Sequence, residues 1–191
     1  MITPPADADL RWTIHDLEGY DLEEGNRYEI IAGSLFVTTQ PSWTHQDICT
    51  TLAIELGLWS RQGLRGSVVV APGVIFDLEN AVAPDLVWVS AERLPEILGE
   101  DGKLHDAPDL VVEVLSPGST NTRRDRESKL QLYSVRAVRE YWIVDWPAKS
   151  LQVFRRQAAA LKLAATLVVG DEITSPLLPG FNLPITRLFP G

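Results

Sequence analysis

The chain has 191 residues, a length that suits a single domain with a sizeable core, and its 45% hydrophobic and 23% charged residues are those of an ordinary globular protein. The formal net charge of -9 opposes general adhesion to nucleic acid, although it does not settle the partner. The single cysteine, Cys49, excludes an intrachain disulfide and a thiolate-based structural zinc site. The acidic N-terminus has no basic region followed by an apolar one, and no run approaches the length that spans a bilayer, so a soluble cytoplasmic protein with no membrane partner is expected.

Met1–Asp9 reads as a loose leader, with Pro4 and Pro5 blocking regular structure. The stretch "TIHDLEGY" suits a short helix capped by Thr13. "RYEIIAGSLFVTT" predicts an N-terminal hairpin, two strands turning at Gly33. From Ser42 to about Gln62, Ile48, Leu52, Leu56 and Trp59 are spaced four, four and three apart, one face of an amphipathic helix. Gly63 and Gly66 end it. "SVVVAPGVIFDLENAVAPDLVWVS" gives strands broken at "DLEN", and Glu92–Gly102 is surface helix or loop. "PDLVVEVLS" is the next strand, stopped by Pro117 and Gly118. A helix is expected from Thr122, with Leu130 and Val135 toward the sheet. "REYWIVDW" and "LQVFRR" are strands joined at "PAKS", with one more strand around "AATLVV". The closing prolines and glycines suggest a tail laid over the surface. This order predicts an α/β fold with a mixed sheet.

The charge is unevenly distributed. Met1–Ile30 holds eight acids and two bases, whereas Arg123–Arg139 holds six bases and two acids. Such a basic patch can face a phosphate backbone in an otherwise acidic protein.

The chemistry concentrates in "APDLVVEVLSPGSTNTRRDRESKLQLY" (Ala107–Tyr133) and in its echo "VAPDLVWVS" (Val82–Ser90). Glu113 sits inside an apolar strand, where an unpaired carboxylate is costly and is normally neutralised, paired or bound to a metal. Asp85 opens a similar strand. Side by side, the two acids could converge on a divalent cation, and oxygen donors suit Mg²⁺, with Mn²⁺ as a substitute. The pattern is also accounted for by Glu113 pairing with an arginine and by Asp85, after a proline, starting its strand through bonds to nearby backbone amides. Asp109 lies on the face of Glu113 but about 13 Å along an extended strand, so it is taken as a strand-entry residue. Asp125, Lys129 and Tyr133 are spaced by four and share a helix face. Lys129 could bring an ammonium to the acids, or could pair with Asp125 at the surface. Trp59 and Trp142 fit core packing, and Trp43 and Trp146 fit exposed positions beside loops.

"YEIIAGSLFV", "SWTHQDI", "VAPDLVWVS", the Ala107–Tyr133 segment and "VREYWIVD" together resemble the bacterial domain-of-unknown-function 820 family of the PD-(D/E)xK superfamily. The resemblance covers about Leu10–Arg155. It implies a single domain with a restriction-endonuclease-like core at about 10–155, a central mixed sheet flanked by helices, and a C-terminal extension at 156–191. It also implies a magnesium-dependent phosphodiesterase, with DNA as the expected substrate, and a homodimer. Carried over residue by residue, Asp85 and Glu113 resemble the acidic pair of the superfamily motif, and Glu29 resembles a further metal-site acid. The motif's lysine, expected at position 115, is replaced by Leu115, and Lys129 on the following helix takes that role. His45 resembles a histidine of the family that lines the cleft, Asp125 and Tyr133 are further cleft candidates, and Arg123, Arg124 and Arg126 are expected to contact phosphates. A nuclease-shaped binding module and an enzyme for smaller phosphate esters remain open at this point.

Overall fold

The computed structural model describes residues 10–19, 22–63, 65–115 and 124–189. A short helix α1 (Ile14–Gly19) precedes the hairpin β1 (Arg27–Ile31) and β2 (Ser34–Thr38). Ala32 and Gly33 between them have φ of 50° and 75°. Two successive positive φ angles define the turn whose twist matches a tight hairpin, and glycine adopts the second without strain. The long helix α2 (Trp43–Arg61) follows, with Ser42 at its N-cap. Next come β3 (Gly66–Val70), β4 (Val74–Asp77), β5 (Asn80–Val82), β6 (Leu86–Ser90), α3 (Leu94–Ile97) and β7 (Leu110–Val114). A π-helical turn (Arg124–Lys129) runs directly into α4 (Leu130–Val135), and β8 (Glu140–Asp145) returns to the sheet. Four further strands complete the chain: β9 (Ser150–Gln157), β10 (Ala160–Val168), β11 (Glu172–Ser175) and β12 (Leu178–Pro184).

The main sheet has six strands in the order β10-β9-β8-β7-β6-β3, and β2-β1-β5-β4 form a second sheet. β7 and β8 pair in parallel, from Leu110 opposite Glu140 to Val114 opposite Val144, while β6–β7 and β8–β9 are antiparallel. The sheet is therefore mixed, as the element order predicts. A parallel pair needs a crossover, and the π-turn with α4 supplies it. All five residues of β7 are buried. Covered on both faces, such a strand reads as a continuous apolar run rather than an alternating one.

Alternation sorts the two faces. Leu86, Trp88, Leu110, Val112, Val114 and Trp142 pack with Ile48, Leu52, Leu56 and Trp59 of α2. Val87, Val89, Val111, Tyr141 and Ile143 pack with Leu132 and Tyr133 of α4 and with Ile31 and Val82 of the second sheet. Val135 does not join this side as expected; it is 72% exposed, and Leu132 and Tyr133 take the inward positions. The preceding π-turn changes the angular register, so counting by 3.6 from the start of the segment misplaces the inward face.

The tail also departs from expectation. β11 and β12 form a hairpin whose Ile173, Leu178 and Leu183 are fully buried in the α2-side core. Trp59 Nε1 donates to the Pro179 carbonyl at 3.1 Å. Pro179 and Gly180 hide the strand in "LPGFNLP" from a sequence reading: they fall between the buried Leu178 and Phe181, and proline on an edge strand looks like a strand breaker. Trp146, expected to be exposed, is half-buried against the same core, whereas Trp43 is exposed.

Candidate active site

Three carboxylates and one ammonium are buried together where β1, β6, β7 and the crossover meet. Glu29 is 1% exposed, Asp85 4%, Glu113 2% and Lys129 0%, so each charge must be compensated inside the protein. Local structure explains the convergence. Leu86 pairs with Val112 and Val87 with Val111; the same register carried one residue further sets Asp85 opposite Glu113. Alternation turns Glu113 toward the face covered by α4, and β1 brings Glu29 to that face from the second sheet.

Lys129 closes the π-turn, and its Nζ donates to Glu113 Oε1 at 2.8 Å and lies 2.9 Å from Glu29 Oε1. One turn later, the Tyr133 hydroxyl donates to the same Glu113 oxygen at 3.0 Å. The Ala83 amide donates to Glu29 Oε1 at 3.0 Å. The four-residue spacing of Lys129 and Tyr133 thus addresses both side chains to one carboxylate. Burial, reinforced by the Glu113 carboxylate, holds the Tyr133 phenol well above its usual range, so it acts as a neutral donor.

Asp85 anchors the other half. Its Oδ1 accepts from Arg27 Nη1 at 2.8 Å, and its Oδ2 accepts from the Val114 amide at 2.9 Å and lies 3.1 Å from His45 Nε2. Burial alone would raise this carboxyl. Its hydrogen bond and charge interaction with His45, followed by the charges of Arg27 and Lys129, outweigh that effect and hold it well below the usual carboxylate range. His45 is placed by its helix: the Ser42 hydroxyl accepts from the His45 amide at 3.3 Å, capping the first turn of α2. Cys49, one turn further on, has its Sγ 3.6 Å from His45 Nδ1. His45, Cys49 and Asp85 offer donor atoms all within 4.8 Å of one another, and this buried cluster could coordinate a metal ion.

The structure therefore brings Glu29, Asp85, Glu113, Lys129, His45 and Tyr133 into one connected network. Arg126 is engaged elsewhere: its guanidinium donates to Asp145 Oδ2 at 2.6 Å and to Gln152, tying the π-turn to β8 and β9. Arg123 and the side chains of Arg124 and Asp125 lie outside the described residues. Asp109 is fully buried; it accepts from the Ser90 amide at 2.9 Å and from Arg93 and Arg139, an arrangement that pins the entry of β7.

Two members of the network were not singled out by the sequence reading. Arg27 precedes Glu29 by two residues, so strand alternation already places both on one face. Cys49 follows His45 by four, the spacing of helix neighbours. Both signals are present in the sequence, but they are short and common.

A mixed sheet flanked by helices, with acids at one end and a helix-borne lysine among them, defines a restriction-endonuclease-like α/β protein. The family model described as "Uma2: Putative restriction endonuclease" matches residues 13–186, and the chain belongs to that family. Among solved structures, the chain is similar to "a putative nuclease belonging to DUF820 from Anabaena variabilis", with a TM-score of 0.74 and 18% identity over 93% of this chain and 97% of that one. At that identity the likeness establishes the fold. No curated protein matches the chain. Among the described residues no helix is long and apolar enough to cross a membrane.

Proposed function

We propose that this chain is a magnesium-dependent endonuclease that hydrolyses phosphodiester bonds in DNA. The observation that carries this reading is the placement of Lys129. Its ammonium lies 2.8 and 2.9 Å from oxygens of Glu113 and Glu29, although the sequence puts leucine where the superfamily motif has lysine. A lysine supplied by the crossover reaches the same carboxylates that a strand lysine would.

The donor chemistry fits magnesium. Asp85, Glu113 and Glu29 offer only carboxylate oxygens, the donors that hard divalent cations select. The Lys129 ammonium already resides between two of them, as a cation would. In this reading Asp85 and Glu113 hold the ion, with Glu29 assisting. A bound magnesium ion supplies Lewis-acid polarisation of the phosphate and makes water a stronger nucleophile. The chain's own groups do the positioning. Lys129 donates toward negative charge developing on phosphate oxygens or orients the attacking water. Tyr133 keeps the Glu113 carboxylate in place, and Val114 N with Arg27 fixes Asp85. His45, bonded to Asp85, is placed to move a proton.

Trp43 gives the substrate a further contact. It is the first residue of α2, two positions before His45, and it is 87% exposed. An exposed tryptophan offers a face on which an unpaired base can stack. Trp43→Ala is expected to weaken binding of single-stranded DNA by about 1–3 kcal/mol, read by fluorescence anisotropy with Ca²⁺ in place of Mg²⁺. Unchanged affinity would remove Trp43 from the substrate path.

The full chain is expected to cut supercoiled, linear or single-stranded DNA with Mg²⁺ or Mn²⁺ and not with EDTA. A specific observation favours a second reading, a nuclease-shaped binding module: Lys129 and Asp85 both already have intramolecular partners. DNA binding without cleavage in any metal would establish that alternative and overturn the endonuclease.

A further inference from the structure

We propose that His45, Cys49 and Asp85 form a binding site for a thiophilic divalent cation of the zinc class, beside the carboxylates and distinct from them in donor chemistry. Their donor atoms lie within 4.8 Å of one another, and the three residues are 4%, 2% and 4% exposed. One imidazole, one thiol and one carboxylate make a nitrogen, sulfur and oxygen set. Zinc takes such sets readily, while magnesium keeps to oxygen. Zinc bond lengths of about 2.0–2.3 Å imply donor separations of about 3.3–3.8 Å in a tetrahedral site. Cys49 Sγ now lies 3.6 Å from His45 Nδ1 and Asp85 Oδ2 3.1 Å from His45 Nε2, so gathering the three donors on one ion requires His45 or Cys49 to rotate.

Neighbouring groups hold part of the ligand set in place. Asp85 is held from behind by the Val114 amide at 2.9 Å, and the His45 backbone is fixed by the Ser42 cap. Such neighbouring groups orient Asp85 and fix the helix turn that carries His45. Ile48 and Leu52 pack beside Cys49 and keep that side dry. On binding, the Cys49 S–H proton leaves to solvent and the sulfur lone pair forms the metal bond. Thiolate and carboxylate together match the divalent charge, while Arg27 stays against Asp85 Oδ1 at 2.8 Å. Three protein donors leave one tetrahedral position for water.

The consequence for catalysis rests on the endonuclease reading. Asp85 belongs to both donor sets, so an ion held by Cys49 and His45 draws it away from the magnesium site and acts as an antagonist. Binding itself does not depend on that reading and is measured separately.

The probe is Co²⁺ added to the full chain without other metals, followed by absorption spectroscopy. The expected result is one equivalent bound with visible bands of a tetrahedral site and a near-ultraviolet thiolate-to-cobalt charge-transfer band, displaced by Zn²⁺. Cys49→Ser is expected to abolish the charge-transfer band and weaken binding at least tenfold, with circular dichroism confirming that the variant is folded. Glu113→Gln is expected to leave the cobalt spectrum in place. No stoichiometric binding, or a spectrum that survives in Cys49→Ser, overturns the site. A spectrum lost in Glu113→Gln and retained in Cys49→Ser would put the ion among the carboxylates instead. Normal cobalt binding in a protein that never cuts DNA would sink the endonuclease and leave this site standing.

Discussion

Lys129→Ala is expected to slow metal-dependent DNA cleavage by about 10²–10³-fold, the cost of removing one donor aimed at developing negative charge. The argument starts from position. Lys129 is fully buried, and its ammonium is held by Glu113 Oε1 at 2.8 Å and Glu29 Oε1 at 2.9 Å. A surface lysine on this helix could serve solubility or a loose ion pair, but burial at the acids confines it to the network. Single-turnover cleavage at saturating DNA isolates the chemical step from binding. The rate should fall while the affinity for DNA, measured with Ca²⁺, changes little. Glu113→Ala should abolish cleavage and also weaken Mg²⁺ binding, which Lys129→Ala should not. If Lys129→Ala cuts at the wild-type rate, the ammonium is structural and the displaced-lysine mechanism is wrong.

Much of this arrangement is legible in the sequence because it follows from two periodicities. Strand alternation puts Glu113 on the face opposite Val112 and Val114, and helix spacing unites Lys129 with Tyr133. Both survive folding: Lys129 and Tyr133 reach the same oxygen of Glu113. The pairing partner of Glu113 was not legible. Spacing leaves arginine, metal and lysine equally open, and only the crossover from β7 to β8 decides that lysine arrives. Arg126 shows the opposite limit. It belongs to the basic run read as phosphate contacts, yet its guanidinium bonds Asp145 and Gln152. These partners lie 19 and 26 residues away, so local charge counting cannot find them. The C-terminal hairpin was hidden for a different reason. Its inward residues Leu178, Phe181 and Leu183 are separated by proline, glycine and asparagine, and that composition reads as a loop unless the partner strand is known.

Lys129→Met is expected to destabilise the fold through charge alone. Methionine keeps most of the stem volume, so packing loss is small and the electrostatic effect is isolated. Removing the ammonium leaves Glu113 and Glu29 buried without the cation that bridges them, and breaking a buried pair by deleting one partner costs about 3–5 kcal/mol. Part of the cost is recoverable. Glu113→Gln removes one of the two negative charges while keeping a side-chain oxygen that can accept from Tyr133. The double variant Lys129→Met/Glu113→Gln should therefore be less destabilised than the sum of the single variants by about 1–3 kcal/mol, the coupling of residues sharing one network. Urea unfolding of the four proteins measures the cycle. Strict additivity would show that the two side chains do not share their charge in solution, and the folding role assigned to the pair would fail with it. The same cycle bears on catalysis. Strong coupling means that the ion pair itself contributes stability, so a metal ion that displaces Lys129 from Glu113 must offset that contribution on binding.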